Sequence, residues 1–503
     1  MQLSPEPLSA RIEAATITGE APAPAPHHRI LLWLPALLIF ACCLGRPVHD
    51  PDIWWHMRNG QWILAHRMVP QVDPYSFTAQ GRPWVSQEWL WDVFAHGLWS
   101  AFGPLGLVAY TAIFLTGIYL LLCRLCWARC GDYVVASLTA LFAMLAFTPT
   151  WSERPQLFTF LFTVISLFAI DRHLAGNRRA LWPLVPLVTL WSNLHAGYFF
   201  GLVLLAVYTA GSFIWDRPKF RGFLTVLALC VAASLVNPNG INTLVYPLWI
   251  ILNPPKITHI TTDWMSPSLH QTSDQPVGVI LLAVVAVLMY RKNRMRPVDA
   301  ILLLVLYRMT LYSVRHVALL ALVAAPILSV MLTSLFADKL SRDESKSSPL
   351  LQCGIAILAL GYTLYGVQHL VRRPIEATSS DAALTYLDRH TLGPNLWTHF
   401  NIGGMAIGLL YPRYRVFIDG RSDFYGDKVF DDYTLIEQAW GPWRDVLRKY
   451  NVQTILCDRD APLAQLLGKE GTWERVYSDK AKSVFARRGT FDPQAARQAE
   501  HAR

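Results

Sequence analysis

The sequence predicts an α-helical multispan membrane protein with a small C-terminal α/β domain outside the membrane, and three observations predict this fold class. Of the 503 residues, 53% are hydrophobic and only 16% are charged, a composition that a soluble domain cannot bury. Apolar runs long enough to cross about 30 Å of hydrocarbon recur along the chain. From about Ile375 onward, short helical and strand patterns alternate as in a small α/β domain.

About eleven apolar runs have the length of membrane spans, roughly 17–25 residues each. They lie near residues 29–45, 103–126, 133–149, 155–171, 180–192, 197–215, 222–236, 276–290, 298–314, 316–336 and 350–370. The first is predicted to be a retained signal anchor, because the segment ahead of it is too long and too weakly basic for a cleaved signal peptide. Residues 298–336 form two spans only if the chain turns near Ser313–His316. The tails 1–28 and 489–503 are predicted to be disordered.

Lysine and arginine collect in alternate loops, as expected of loops that face the cytoplasm when the N-terminus is inside. The basic residues of these loops are Arg124, Arg129, Arg172, Arg178, Arg179, Arg217, Lys219, Arg221, Arg291, Lys292, Arg294, Arg296, Lys339, Arg342 and Lys346. Much of the net charge of +9 is therefore a topology signal, and nucleic acid is not predicted as a partner. The same topology places the C-terminal domain, residues 375–488, in the periplasm or outside the cell.

The first candidate site is Asp50-Pro51-Asp52 with His56, at the start of the predicted outer loop 46–102. A carboxylate at the membrane surface can act as general base toward an acceptor hydroxyl, and two carboxylates two residues apart can bind a divalent cation. Asp50 and Asp52 are therefore candidates both as catalytic groups and as metal ligands. The alternative is a turn followed by a helix N-cap at Asp52. Glu88, later in the loop, is a catalytic candidate that could equally cap a helix.

Two helices are predicted in this loop, Ile53–His66 and Trp84–Trp99. Their Trp and aliphatic side chains are interleaved with polar ones, which is typical of helices that lie along a membrane surface. Prolines between the two helices enforce turns. We group the loop with the membrane helices, in one domain that covers residues 29–372.

The second candidate site is basic. Arg308 lies inside an apolar run, and Arg315 and His316 follow at its outer end. Seven residues separate the two arginines, which corresponds to about two helical turns and places both on one helix face. Guanidinium groups present fixed donors to phosphate oxygens, so these residues suit a phosphate clamp. Arg315 and His316 could instead extend toward lipid headgroups.

Arg154 and His195 are further substrate-binding candidates, both predicted on the outer side. Arg154 follows Glu153, and these two residues could instead form an interfacial ion pair. His195, alone on an apolar face, could instead be a packing histidine. The long outer connection after residue 236 contains a polar patch, Thr261-Thr262-Asp263-Trp264.

The C-terminal domain is predicted to alternate between helices and strands. The helices are Asp381–His390, Trp443–Tyr450 and Ala461–Leu467, and the strands are Arg415–Ile418, Val452–Cys457, Arg475–Tyr477 and Ser483–Ala486. The Gly-bearing segments Asn401–Gly404 and Phe417–Gly426 end apolar elements, where such domains bind ligands. Asp419 and Arg421 are therefore substrate-binding candidates, although both segments could equally be tight turns. Neither a Walker sequence nor G-x-G-x-x-G is present, so nucleotide binding is not supported.

An N-in bundle of about eleven spans, an acidic motif in the first outer loop and an outer α/β domain together resemble the GT-C superfamily of polyprenyl-phosphate-sugar-dependent glycosyltransferases. Within it, the chain is similar to a bacterial group of multispan proteins with a D-P-D-x-W-W-H opening, here Asp50–His56, and an F-I-D-G-R-x-D-x-Y-G segment, here Phe417–Gly426. The resemblance covers most of residues 29–488. The oligosaccharyltransferase segment W-W-D-Y-G is missing, so a peptide acceptor is not implied.

The resemblance implies that Asp50 or Asp52 acts as base or metal ligand. It also implies that Arg308, Arg315 and His316 hold the lipid phosphate. The expected function is transfer of a sugar from polyprenyl phosphate to a hydroxyl of a glycan or lipid acceptor at the outer face of a bacterial inner membrane. The expected partners are the donor, the acceptor and membrane lipids. The competing hypothesis is a non-catalytic binding or transport component of envelope assembly.

Overall fold

The computed structural model describes residues 29–256, 262–272, 274–290, 295–340 and 380–490, together with single positions between 361 and 376. These residues form two compact units. The first, the helical unit, is drawn from Met1–Val48, Pro104–Leu244 and Thr262–Pro374. The second, the loop–sheet unit, is drawn from His49–Gly103, Val245–Thr261 and Ile375–Arg503. The predicted tail 1–28, most of the predicted span 350–370 and most of the tail 489–503 lie outside the described residues.

Helices make up most of the described chain, and a short sheet lies near its C-terminal end. In chain order the elements are α1 (Arg29–Leu44), α2 (Ile53–His66), α3 (Trp89–Phe102), α4 (Pro104–Cys130), α5 (Tyr133–Ala146), α6 (Gln156–Leu174), α7 (Leu184–Leu194), α8 (Tyr198–Trp215), α9 (Arg217–Ser234), α10 (Asn242–Leu252), α11 (Gln275–Met289), α12 (Pro297–Tyr312), α13 (Val317–Leu340), α14 (Asp381–Arg389), β1 (Asn395–Thr398), α15 (Phe400–Leu410), β2 (Arg415–Val416), α16 (Ser422–Tyr425), α17 (Asp427–Glu437), α18 (Trp443–Lys449), β3 (Thr454–Asp458), α19 (Pro462–Leu467), β4 (Trp473–Ser478) and β5 (Lys482–Arg487).

Each predicted span from 29–45 to 316–336 coincides with a helix of the helical unit. Within the described residues, four helices are long and apolar enough to cross a membrane: α4, α6, α8 and the stretch Val314–Phe336, which includes most of α13. Others, including α5, α7 and α11, are apolar but shorter. The chain is therefore mostly helical with the apolar lengths of an integral membrane protein.

The chain turns between α12 and α13, as the division of residues 298–336 into two spans requires. α12 ends at Tyr312, Ser313 is extended with φ −149° and ψ 129°, and Val314–His316 form a 3-10 turn. The prediction that Arg308 and Arg315 lie on one helix face is wrong, because the helix ends between them. Arg308 belongs to α12, whereas Arg315 belongs to the turn.

A buried ion cluster joins several helices of the helical unit. Arg129 of α4 donates to both carboxylate oxygens of Asp171 of α6, at 2.6 and 2.9 Å. Arg296 bridges Asp171 at 2.8 Å and Asp299 at 3.1 Å. The hydroxyl of Tyr208 in α8 donates to Asp299. Two of the arginines that indicated topology are thus also paired with carboxylates.

In the loop–sheet unit, α2 has the predicted bounds but α3 begins at Trp89 instead of Trp84. The reason is a backbone bridge between Val72 and Pro83, beside which the Trp84 N–H donates to the carbonyl of Gln71 at 3.0 Å. These bonds hold Trp84 in an extended segment. The sequence pattern, which showed only interleaved apolar residues, could not reveal this pairing.

The sheet has the strand order β2-β1-β3-β5-β4. β1 is parallel to both β2 and β3, whereas β5 is antiparallel to β3 and to β4. The predicted helices and strands of this domain are all present with small changes of bounds. Four further elements, β1, α15, α16 and α17, were not predicted.

The first outer loop extends the edge of this sheet. Val416 of β2 donates its N–H to the carbonyl of Tyr75 and accepts from the N–H of Phe77, both at 3.1 Å. Tyr75 and Trp84 lie in the same hydrophobic core as the sheet. The sequence grouped loop 46–102 with the membrane helices, but these contacts group His49–Gly103 with the C-terminal domain.

Candidate functional site

Asp50 and Asp52 form a tight turn immediately ahead of α2. The N–H of Asp52 donates to Asp50 Oδ1 at 2.9 Å, and Asp50 is only 4% exposed. Asp52 occupies the N-cap position of α2, but its side chain makes no capping hydrogen bond. The turn considered as the alternative interpretation is therefore present, whereas the carboxylate of Asp52 does not serve as a cap.

The carboxylate of Asp52 lies against Gly420, in the segment that follows β2. A Cβ atom at Gly420 would lie 1.9 Å from Asp52 Oδ1, which no real contact permits. Gly404 of α15 approaches the same turn, and a Cβ there would lie 2.8 Å from the carbonyl oxygen of Pro51. Glycine is required at both positions because the backbone and the Asp52 turn approach closely. The glycines of the two Gly-bearing segments thus set the packing around Asp52.

His56 lies one turn into α2 and is only 4% exposed. Its Nδ1 is 2.5 Å from Asp92 Oδ1, and its Nε2 is 3.7 Å from Glu88 Oε2. Burial by itself lowers the pKa of His56, but the Asp92 carboxylate outweighs burial, and the pKa is raised above the ordinary value of 6.5. Glu88 and Asp52 act in the same direction. Three of the predicted catalytic residues, Asp52, His56 and Glu88, are thus close enough to interact electrostatically.

Asp92 is the residue of this cluster that the sequence analysis missed. It is fully buried in α3, and Asn59 donates to its second oxygen at 2.6 Å. Asn59 in turn accepts from the hydroxyl of Tyr75 at 2.9 Å. An acid inside the apolar stretch Trp89–Phe102 was the available signal, since a buried carboxylate needs a partner. Arg308 was chosen because it is a charged residue inside an apolar run, and the same reason applies to Asp92.

The divalent cation expected at Asp50 and Asp52 stays a prediction. Among the residues that the structure describes, no group of three or more His, Cys, Asp or Glu side chains has a metal-binding arrangement. Asp50 uses one oxygen for the turn. A calcium or magnesium site built from protein needs several oxygen ligands around one point. We therefore derive no step from a metal.

Asp419 and Arg421 lie in a closed buried network. The Nε and Nη2 atoms of Arg421 donate to the two oxygens of Asp419 at 2.8 and 2.6 Å, and Nη1 donates to Asp73 at 2.8 Å. The guanidinium also lies 4.6 Å from the ring centre of Trp84. Both residues were predicted to bind substrate. Their contacts favour a structural function, in which the network joins the first loop to the segment after β2.

Arg154 and Arg315, in the helical unit, contact neighbouring residues of one short segment. Arg154 Nη1 lies 2.9 Å from Asp263 Oδ2, and the guanidinium carbon of Arg315 lies 4.3 Å from the ring centre of Trp264. Asp263 and Trp264 belong to the polar patch noted in the sequence, for which no function was predicted. The structure therefore brings two of the predicted substrate-binding residues to the same 3-10 turn, Thr262–Trp264.

The remaining predicted residues have separate surroundings. Arg308 is exposed on α12, with its guanidinium 5.7 Å from the ring centre of Tyr312. His316 Nδ1 lies 3.3 Å from the carbonyl oxygen of Ser313. His195 Nδ1 accepts from the N–H of Gly197 at 3.0 Å and lies 2.7 Å from Thr159 Oγ1. These contacts resemble those of a packing histidine, and the function of His195 in substrate binding stays a prediction.

Solved structures of similar fold cover most of the chain. AglB, an archaeal oligosaccharyltransferase from Archaeoglobus fulgidus solved with an inhibitory peptide and a dolichol-phosphate, matches 93% of this chain and 75% of its own at 12% identity, with a TM-score of 0.58. A second oligosaccharyltransferase structure from that organism, tethered to an acceptor peptide, matches 92% and 74% at 13% identity, with a TM-score of 0.59. The chain has a GT-C-like fold.

The mycobacterial arabinofuranosyltransferase AftD has the same GT-C fold. It matches 94% of this chain at 14% identity with a TM-score of 0.54, and the chain spans 40% of the length of AftD. No family model and no curated protein sequence matches the chain. The GT-C-like assignment therefore rests on the fold.

Within this GT-C-like chain, the candidate catalytic groups and the candidate phosphate-binding groups belong to different units. The loop–sheet unit carries carboxylates backed by a buried histidine, which suit proton transfer. The helical unit carries Arg154 and Arg315, whose guanidinium groups suit an anion such as phosphate.

Proposed function

We propose that the chain is an integral membrane glycosyltransferase that moves a sugar from a polyprenyl phosphate donor to an acceptor hydroxyl on the outer face of a bacterial inner membrane. The observation that carries the proposal is the fold similarity, which extends over 93% of the chain to AglB. AglB is solved with a dolichol-phosphate, which supports a lipid-linked donor for this chain. AftD, an arabinofuranosyltransferase, supports transfer of a sugar as the activity.

We further propose that the N-terminus is cytoplasmic and that about eleven helices cross the membrane. The proposal is supported by the helices found at each predicted span up to 316–336. The last span, 350–370, lies mostly outside the described residues. An odd number of crossings puts the C-terminal domain in the periplasm. On this topology, the carboxylates of the loop–sheet unit also lie in the periplasm.

Of the two aspartates, we assign the base to Asp52, because Asp50 is buried and one of its oxygens holds the turn. The Asp52 carboxylate takes the hydroxyl proton while the acceptor oxygen bonds to the anomeric carbon. The bond from that carbon to the donor phosphate breaks, and its electron pair leaves with the phosphate. We assign the stabilisation of this phosphate to the arginines, with Arg154 and Arg315 the principal candidates.

The test is sugar transfer by purified protein from labelled polyprenyl-phosphate sugars to mixed lipid and glycan acceptors. We expect Asp52→Asn to lower the rate by about 10²–10⁴-fold, the usual contribution of a general base. Asp445→Asn is the matched control, since that side chain is 65% exposed on α18. Equal rates for the Asp52 variant and the control, with both proteins folded, reject the assignment.

A non-catalytic lipid-glycan binding or transport component is the second candidate. It is favoured by the structural use of Asp50 and of the Asp419–Arg421 pair, which leaves fewer groups for chemistry. Binding of a labelled polyprenyl-phosphate sugar without product, across all acceptors, would support this candidate over the enzyme.

A further inference from the structure

The connection between α10 and α11 contains a segment, Thr262–Ser266, that is bonded to the junction between α12 and α13; we name it the clamp segment. The hydroxyl of Ser313 donates to the carbonyl of Asp263 at 3.1 Å, and the N–H of Val314 donates to the carbonyl of Met265 at 3.0 Å. Backbone groups of the segment thus make both bonds. The segment is therefore anchored independently of the Asp263 and Trp264 side chains.

The side chains of the clamp segment engage two arginines. Asp263 pairs with Arg154 at 2.9 Å, and Trp264 covers the guanidinium of Arg315 at 4.3 Å. The Arg154 side chain is 24% exposed and the Asp263 side chain is 47% exposed. A half-exposed ion pair contributes little net free energy, because water solvates both charges well when they separate.

The Asp263 carboxylate occupies the position that an oxygen of an anionic ligand would take at Arg154. A carboxylate and a phosphate present similar oxygen atoms to a guanidinium, but a phosphate brings more acceptor atoms. Because the segment is held by its backbone, the Asp263 side chain can turn away without loss of the anchoring bonds. A phosphate could therefore replace Asp263 while Arg315 stays under Trp264.

We propose that Asp263 is an internal stand-in for the donor phosphate at Arg154, and that the phosphate of a polyprenyl phosphate displaces it on binding. This inference rests on the proposed function, which assigns a phosphate to these arginines. Asp263 then lowers donor affinity and keeps Arg154 paired when the donor is absent. If Asp263 only positions Arg154, its replacement should weaken donor binding instead of strengthening it. The direction of the change in donor affinity therefore distinguishes the two functions of Asp263.

The experiment measures equilibrium binding of radiolabelled undecaprenyl phosphate to the full-length protein in detergent. We expect Asp263→Asn to bind about three- to fivefold more tightly than the wild type, as the loss of a competing partly exposed ion pair allows. Arg154→Gln should bind at least about tenfold more weakly. Asp274→Asn is the matched control, because this acid of the same connection bonds to the backbone N–H of Ser268. It should bind like the wild type.

Competition by two other phosphates identifies the source of the anion. We expect inorganic phosphate and phosphatidylglycerol to displace the label only at much higher concentrations. Equally strong competition by either one overturns the assignment to the polyprenyl donor. Thermal unfolding of each variant establishes that it is folded.

The outcomes separate the inference from the proposed function. If Asp263→Asn binds with unchanged or weaker affinity while Arg154→Gln loses binding, the stand-in is rejected and the phosphate site remains. If neither the wild type nor any variant binds undecaprenyl phosphate, the proposed function fails together with the inference.

Discussion

His56 and Asp92 form a buried pair between the two helices of the first loop, with 2.5 Å between Nδ1 and Oδ1. Asn59 donates to the other oxygen of Asp92, and Glu88 lies 3.7 Å from Nε2 of His56. The pair therefore fixes the orientation of the imidazole with Nε2 directed toward Glu88. These contacts explain the conformation of His56, and its catalytic function stays a prediction.

The pair makes stability depend on pH. Because the pKa of His56 is raised in the folded protein, its stabilisation is complete below the ordinary pKa of 6.5 and is lost as the pH rises through the folded-state value. We expect the thermal unfolding midpoint to fall with rising pH over this window. His56→Gln should remove that part of the slope. His66→Gln, at an exposed histidine of the same helix, should leave it unchanged; a slope that is equal in all three proteins contradicts the prediction.

Asp92→Ala should lower the free energy of unfolding more than His56→Gln does. Asp92→Ala leaves a buried imidazole without its counter-charge and Asn59 without its acceptor. Loss of one partner of a buried pair usually costs about 3–5 kcal/mol. Chemical denaturation of Asp92→Ala should show a loss of this order. A change below about 1 kcal/mol, which is typical of surface pairs, would show that water reaches the site.

Gly420→Ala tests whether the position of Asp52 matters to function. The added methyl would overlap Asp52 Oδ1, so the carboxylate must move. We expect sugar transfer to fall by at least about tenfold while donor binding stays unchanged, because general base catalysis requires hydrogen-bond reach to the proton. Gly471→Ala is the control, since a Cβ there meets no atom within 4 Å. Normal transfer by Gly420→Ala would remove Asp52 from the mechanism.

The fold was predictable where one local pattern sufficed. Apolar length placed the spans, and the chain turn near Ser313 followed from the length of residues 298–336. α15 was missed because two adjacent glycines at positions 403 and 404 are poor helix formers. The structure shows why glycine is needed there: a Cβ at either position would clash with the backbone of a neighbouring segment. Tertiary packing therefore outweighed helix propensity in α15.

The candidate site was predictable only in part, for a similar reason. The D-P-D-x-W-W-H motif identified Asp52 and His56 because they lie close together in sequence. Asp92 pairs with His56 from 36 positions away, and Asp73 pairs with Arg421 from 348 positions away. No local pattern reports such distant contacts. The sequence could therefore identify the chemical groups but not which of them are paired with each other.

Arg421 should be essential to the fold of the loop–sheet unit. Arg421→Met preserves much of the volume but leaves the buried carboxylates of Asp419 and Asp73 without their counter-charge. We expect a loss of about 3–5 kcal/mol in unfolding free energy, measured by chemical denaturation. Arg413→Met, at a side chain that is 44% exposed, is the control and should change stability little. A stable Arg421 variant that fails only in substrate binding would restore the substrate-binding assignment.

The ion cluster of the helical unit gives the last prediction. Asp171 accepts from Arg129 and Arg296, so Asp171→Asn leaves two guanidinium groups to share Asp299. Replacing one acid of a buried cluster usually costs about 3–5 kcal/mol, so the thermal unfolding midpoint in detergent should drop by several degrees. Asp216→Asn is the control, since Asp216 lies outside the cluster in the turn between α8 and α9. The double variant Asp171→Asn, Arg296→Gln removes one charge of each sign and should recover part of the loss. If the effects of the two single substitutions on the unfolding midpoint simply add in the double variant, these two residues do not interact.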